Sequence, residues 1–220
     1  MLLSHDQILE YLDKGFIIID PFNVNHLGTT SYDVGLSEHF YRRNHQFKED
    51  QATKILNTFD PEEIKDFWEY HRADNAKEWM KNTGVDLKNI RDEDQIFLIH
   101  PLETILASTI EFIGGREKVV AEMRGLSTLG RLEITICKCA GWGDIGYFNR
   151  WTMEITNHDQ KISTILLVGM RIAQFNFREV KPIKGSYFEL DGRYQFSEEL
   201  EELKKNWKPE MMLPIIKVRE

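Results

Sequence analysis

Apolar and polar residues alternate strictly in two stretches of this chain. Leu132, Ile134 and Ile136 fall on one side and Glu133, Thr135 and Cys137 on the other. Trp151, Met153 and Ile155 likewise oppose Arg150, Thr152, Glu154 and Thr156. A period of two marks a half-buried β-strand, so strands are expected over 132–139 and 150–157. The stretch between them, Ala140-Gly-Trp-Gly-Asp-Ile-Gly-Tyr147 and on to Asn149, holds three glycines and one acid, which is turn chemistry. Glu154 is therefore expected in the body of a strand, an unusual place for a carboxylate.

Further strands are expected at 16–20, stopped by Pro21, and at 31–36, 96–100, 104–108, 110–113 and 119–121. A first helix should start at Ser4, where Ser4 with Gln7 makes a capping box; Ile8, Leu9 and Leu12 give its apolar face and Gly15 its stop. The pattern changes over 41–94. Asp60-Pro61-Glu62-Glu63 is a helix start, with a cap, a proline at the first helical position and acids in the first turn. Ile64, Phe67, Trp68 and His71 follow at helical spacing, then Trp79 and Met80 up to Gly84. This reads as a helical insertion, either a lid or partner surface, or an appendage whose aromatic stripe packs on the rest. Beyond Phe177 the chain is polar as far as Asp191-Gly-Arg-Tyr-Gln195. Ser197 caps a last helix with Leu200, Leu203 and Trp207 on one face. Many short strands at short spacing predict a mainly β fold, a barrel or sandwich with helices added, in one domain spanning 1–220.

Composition narrows the possible partners. The net charge is −8 over 220 residues, which argues against a non-specific surface for nucleic acid polymers while leaving room for a locally held anion. No apolar run approaches the ~20 residues of a membrane span, and the N-terminus has no signal-peptide pattern. Cys137 and Cys139, two apart on one expected strand, are poorly placed to bond each other. A reduced, cytoplasmic setting fits them.

Several chemistries lack their residues. Zinc deamination needs His-x-Glu and Pro-Cys-x-x-Cys, and Cys137-Lys-Cys139 has the wrong spacing. There is no P-loop or Gly-x-Gly-x-x-Gly, and Ser127 sits in no nucleophile elbow. Ser127, Thr128, Arg131, Asp144 and Glu154 remain. Hydroxyls and an arginine beside glycines can hold phosphate oxygens, and a strand carboxylate can be a general base. Ser127 and Thr128 also read as turn residues, and Glu154 as an ion-pair partner of Arg150 or Arg131.

The ordered motifs resemble those of the dCTP deaminase branch of the dUTPase superfamily. They are Leu3-Ser-His-Asp-Gln-Ile-Leu, Ile19-Asp-Pro-Phe22, Ser31-Tyr-Asp-Val-Gly-Leu36, Ser127-Thr-Leu-Gly-Arg131-Leu, Ala140-Gly-Trp-Gly-Asp144-Ile-Gly-Tyr147, Arg150-Trp-Thr-Met-Glu154-Ile-Thr-Asn157, Gly169-Met-Arg-Ile-Ala-Gln174 and Gly192-Arg-Tyr-Gln195. The resemblance implies a distorted, dUTPase-like β-barrel and a homotrimer with sites at subunit interfaces. It also implies zinc-free hydrolysis of dCTP to dUTP and ammonia, supplying dTTP precursors, with Mg2+ bound through the nucleotide phosphates. Glu154 matches the water-activating glutamate, and Ser127 and Arg131 match residues that position the water and support the glutamate. Asp144 matches the aspartate near the deoxyribose 3′-hydroxyl, and Tyr147 packs near the sugar. Thr128, Gln174, Tyr187, Arg193 and Gln195 match phosphate-side positions; Ala140 is a further substrate-binding candidate, and the Ala140-Gly141 pair resembles the bifunctional members more. Where the family has Gly-Arg-Ser-Ser, this chain has Gly125-Leu126-Ser127-Thr128. Leu126 therefore lacks a phosphate-gripping arginine, and Arg124, two residues back, is the candidate replacement. The alternatives are a bifunctional enzyme yielding dUMP and pyrophosphate, a plain dUTPase, and a non-enzymatic nucleotide sensor.

Overall fold

The computed structural model describes residues 1–190 and 192–216; Asp191, which precedes the Gly192-Arg-Tyr-Gln195 motif, lies outside them. In chain order the elements are α1 (His5–Asp13), β1 (Ile17–Asp20), β2 (Tyr32–Arg43), α2 (Pro61–Phe67), β3 (Trp68–Arg72), β4 (Asp74–Asn75), α3 (Ala76–Thr83), β5 (Gln95–Ile99), β6 (Thr104–Gly115) and β7 (Val119–Gly125). Then come α4 (Ser127–Gly130), β8 (Ile134–Thr135), β9 (Trp142–Gly143), β10 (Phe148–Asn157), β11 (Thr164–Leu167), β12 (Arg171–Glu179) and α5 (Leu200–Asn206). The fold is mainly β, as expected, and its principal sheet is strongly curled.

That sheet runs β8-β10-β6-β2-β12-β7-β9, with β1 added on β6 and β3 on β2. Among the described residues its strand pairings are antiparallel, for example Glu154 opposite Leu106 and Gln174 opposite Arg124. The curl wraps one apolar core. Tyr32, Val34 and Leu36 of β2 meet Trp151, Met153 and Ile155 of β10 there, together with Ala173, Phe175 and Phe177 of β12. Alternation on β10 is as the sequence predicts: Trp151, Met153 and Ile155 are buried, while Arg150, Thr152 and Glu154 are half-buried on the opposite face. The indole of Trp151 donates to Ile113 O at 2.7 Å, so its one polar atom is satisfied inside the core.

Several elements differ from expectation. The strand expected over 132–139 shrinks to Ile134–Thr135, paired with Thr156–Asn157. Before it, Ser127–Gly130 forms a helical turn, and Glu133 takes a left-handed φ of 61° to reverse the chain. Leu132 is consequently exposed while Ile134 and Ile136 stay buried. Local turn formation wins there over the period-two pattern. Expected strands 104–108 and 110–113 are one continuous strand, and the expected 31–36 strand runs on to Arg43.

The 41–94 region is less helical than its spacing suggests. Its first helix stops at Phe67, and Trp68 and His71 lie on β3, paired to β2 with Phe40 opposite His71. Tertiary pairing with the far half of β2 overrides the helical period. The second helix ends as predicted, at Gly84 with φ 70°. α1 has its capping box at Ser4 and Gln7; it buries Ile8 and Tyr11, while Leu9 faces outward. α5 begins after Glu199 rather than at Ser197. Ser197 accepts from Glu199 N one turn earlier, and Leu203 is the residue of α5 that is buried.

Candidate active site

Glu154 projects from β10 into a cleft of about 460 Å³ that also takes in Asp144, Ala140, Tyr147, Thr152 and Tyr187. One carboxylate oxygen, Oε2, is sealed from solvent and has no hydrogen-bond partner. Burial raises the Glu154 pKa above the usual carboxylate range. Backbone hydrogen bonds from its own residue and Lys138, and the Lys138 charge, work the other way. Within one chain, among the described residues, Glu154 forms no ion pair with Arg150 or Arg131. A desolvated carboxylate with an unpartnered oxygen at the edge of a cleft is the expected form of a general base awaiting a proton donor.

Part of the wall is the turn that begins at Ala140. Its short strand β9 pairs with Ala121 and Glu122 of β7, and Gly143 lies directly on the Trp151 ring. A Cβ there would come 2.4 Å from the indole, so only glycine lets the turn close. Trp142 Nε1 donates to Asp144 Oδ1 at 3.1 Å, which orients the carboxylate. The Tyr147 ring stands edge-on to Trp151 at 5.2 Å and 5.6 Å from Tyr187. The Tyr187 hydroxyl accepts from the backbone N–H of Arg193 at 3.2 Å and of Tyr194 at 3.4 Å. Burial pushes the Tyr147 and Tyr187 hydroxyls to higher pKa. Asp144, Tyr187 and Tyr194 also line an adjoining cleft of about 510 Å³, which contains Arg193.

Gln195, expected on the phosphate side, is held by the backbone of the turn. It is 5% exposed. Its carboxamide accepts from Phe148 N at 2.7 Å and donates to Gly146 O at 3.0 Å, so both ends are engaged within the protein.

The other expected residues do not line this cleft. Ser127 and Thr128 open α4, Arg131 follows it, and all three are exposed. Arg124 and Gln174 lie opposite each other on β7 and β12 and line a separate pocket of about 200 Å³ with Ser31, Asn176 and Arg178. Gln174 accepts from the Ser31 hydroxyl at 3.3 Å. Arg124 is paired with Glu122, which Arg178 also contacts at 2.8 Å. The expected residues thus form two sets on one chain, one in the cleft and one outside it.

Sequence reasoning missed part of the cleft wall. Trp68 of β3, Trp207, Met211 and Met212 all line it. Their pairing with the site depends on how the insertion and the C-terminal segment fold back, and no spacing signal marks that. Cys137 and Cys139 are free thiols, half-buried and exposed respectively.

This β architecture, with a strand carboxylate facing a glycine-rich turn, can be set beside known proteins. A family model described as dCTP deaminase-like matches residues 2–180. The chain belongs to the dCTP deaminase-like family. A Nanoarchaeum equitans protein named "dCTP deaminase, dUMP-forming" is 31% identical over 198 residues, covering 88% of this chain and 92% of that protein. One of the same name from Methanosphaera stadtmanae is 32% identical over 179 residues, covering 80% of this chain and 78% of that protein. The solved structure of 2'-deoxycytidine 5'-triphosphate deaminase from Agrobacterium tumefaciens superposes with a TM-score of 0.53 at 14% identity. That match covers 81% of this chain and 47% of the other, and it bears on the fold alone.

Proposed function

We propose that the protein deaminates dCTP, with Glu154 as general base. The observation that carries this reading is the Glu154 carboxylate. It is desolvated, has an unpartnered oxygen, and shares one cleft with Asp144, Ala140 and Tyr147. In the proposed reaction Glu154 takes a proton from water as the water oxygen attacks C4 of cytosine. The same proton passes to N3 of the ring. Glu154 then relays a second proton, from the new hydroxyl, to the exocyclic amine, which leaves as ammonia. The ring is left as uracil, with a carbonyl at C4. A raised pKa suits this shuttle, because each transfer is better matched to a base that holds its proton more firmly.

The split of the expected residues supports a site completed by a second copy of the chain. Ser127 and Arg131, exposed and outside the cleft, would position the water and support Glu154 of a neighbouring subunit. Thr128 and Gln174 would meet the phosphates of the nucleotide held there, and Arg124 would join them only by leaving Glu122. A closed three-fold ring lets every subunit give and receive these residues, so we propose a homotrimer. Mg2+ would be carried by the phosphate oxygens. Among the described residues no group of three or more His, Cys, Asp or Glu side chains is gathered to hold a cation.

The sequence reading led with dUTP as product. Two observations favour the bifunctional alternative, which continues to dUMP and pyrophosphate: Asp144 faces the same cleft as Glu154, and relatives over most of the chain are named dUMP-forming. The test is to incubate the protein with dCTP, dCMP or dUTP plus Mg2+, assay ammonia and separate the nucleotides. Ammonia with dUMP from dCTP is expected. Ammonia with dUTP as the end product would return the reading to a plain deaminase. No ammonia from dCTP would overturn deamination.

A further inference from the structure

Arg150 lies four residues before Glu154 on the same face of β10 and lines the same cleft. Its guanidinium carbon stands 4.8 Å over the Trp207 ring and 5.5 Å over the Phe112 ring. Its Nε is sealed from solvent without an acceptor. Among the described residues no carboxylate comes within ion-pair distance of it. Glu38 and Glu111 act on it only at longer range, and burial lowers its pKa. His39, the other titratable group packed on Trp207, is held towards its neutral form by burial. A half-buried cation with no counter-ion is costly unless an anion completes it.

The cleft suggests which anion. Four strand residues separate Arg150 from Glu154 by roughly 13 Å, a span comparable to that between the base and the outer phosphates of a nucleoside triphosphate. Arg150 stands at the end of β10 nearer Tyr147, where the cleft passes Asp144 and Tyr187 into the neighbouring cleft with Arg193. With the base at Glu154, a polyphosphate would extend towards that end. This chain also has Leu126 where the resemblance places a phosphate-gripping arginine. The candidate replacement, Arg124, is already paired with Glu122.

We propose that Arg150 is a phosphate-binding residue of the nucleotide site, supplied by the same subunit as Glu154, and that it selects triphosphates over monophosphates. This rests on the nucleotide reading of the cleft. Trp207 and Phe112 fix the guanidinium, so little side-chain freedom is lost when the anion arrives.

The test is calorimetric binding of dCTP and dCMP to the full chain in a Glu154→Gln background, which keeps the substrate intact. Arg150→Met retains the stem packed on Trp207 and removes the charge. It should raise the dCTP Kd about tenfold or more, as loss of a charged hydrogen bond does, and change the dCMP Kd much less. Arg150→Lys, the safer variant for folding, should fall between the two. An unchanged dCTP Kd, or equal weakening of dCTP and dCMP with a lower Tm, would overturn the proposal and leave Arg150 as a clasp for the C-terminal helix. If dCTP binds but the wild type releases no ammonia, the deaminase reading fails while the Kd comparison still decides the role of Arg150. If neither nucleotide binds, both fall.

Discussion

The carboxamide of Gln195 accepts the backbone N–H of Phe148 at 2.7 Å. With its bond to Gly146 O, this joins the C-terminal segment to the turn that walls the cleft. Gln195→Ala would leave the Phe148 donor and the Gly146 acceptor without this partner, at a cost of about 1–3 kcal/mol. A lower Tm is expected, with a rise in the Michaelis constant that follows it. An unchanged Tm with a raised Michaelis constant would instead assign the amide to the ligand.

Glu154→Gln should reduce deamination on the order of 10²–10⁴-fold, the usual contribution of a general base. It should also unfold no earlier than the wild type, because it removes a desolvated charge. Single-turnover ammonia release and a thermal melt test both parts. A stable variant with near wild-type turnover would refute the role of Glu154.

Activity should also follow the ionisation of Glu154. The base works when deprotonated, and burial raises its pKa. The acid limb of kcat should therefore rise with pH through an inflection above the ordinary carboxylate value, and Glu154→Gln should lose that limb. A limb centred at the ordinary value would place the titration elsewhere.

Glu111 gives a separate pH test that does not involve the reaction. It is 4% exposed, accepts from Gly35 N through both oxygens, and burial lifts its pKa from 4.5 to about 7. Between those values the folded state holds the proton more tightly than the unfolded chain. Its contribution to stability is therefore largest at acid pH and is lost as pH rises towards about 7. Glu111→Gln keeps an acceptor for Gly35 and removes the ionisation. It should flatten this slope and melt higher than the wild type at pH above 7, as denaturant titrations at several pH values would show.

The two-set arrangement of the site predicts complementation. Glu154→Gln and Arg131→Ala homo-oligomers should each be nearly inactive. Unfolded together and co-refolded, they should regain activity, because some interfaces then pair an intact Glu154 with an intact Arg131. No recovery, or a light-scattering mass near 26.0 kDa for the wild type, would place the whole site within one subunit.

The legible parts of this chain were those governed by local rules. The capping box at Ser4 and Gln7, the stop at Gly84 and the face of Glu154 on β10 depend only on nearest-neighbour geometry, and all three are as read. The segment after β7 was misread, since alternation over 132–139 cannot reveal that Glu133 adopts a left-handed conformation. Trp68 was misread because its helical spacing is real, yet strand pairing with β2 is what places it. The distance between Ser127 and Glu154 was illegible in principle. A motif order fixes which residues are present, while the curl of the sheet decides which ones share a cleft.

β3 changes what the inserted region is. A strand whose flank is open presents a row of unpaired backbone donors and acceptors, a template for unwanted association. β3 covers that flank of β2 from His39 to Arg43, and β4 does the same for the start of β5. Trp68, on β3, is also part of the wall facing Glu154. The region is therefore not a detachable ornament. Excising it would bare a sticky edge and open one side of the cleft together, so solubility and catalysis are coupled through the same five-residue strand.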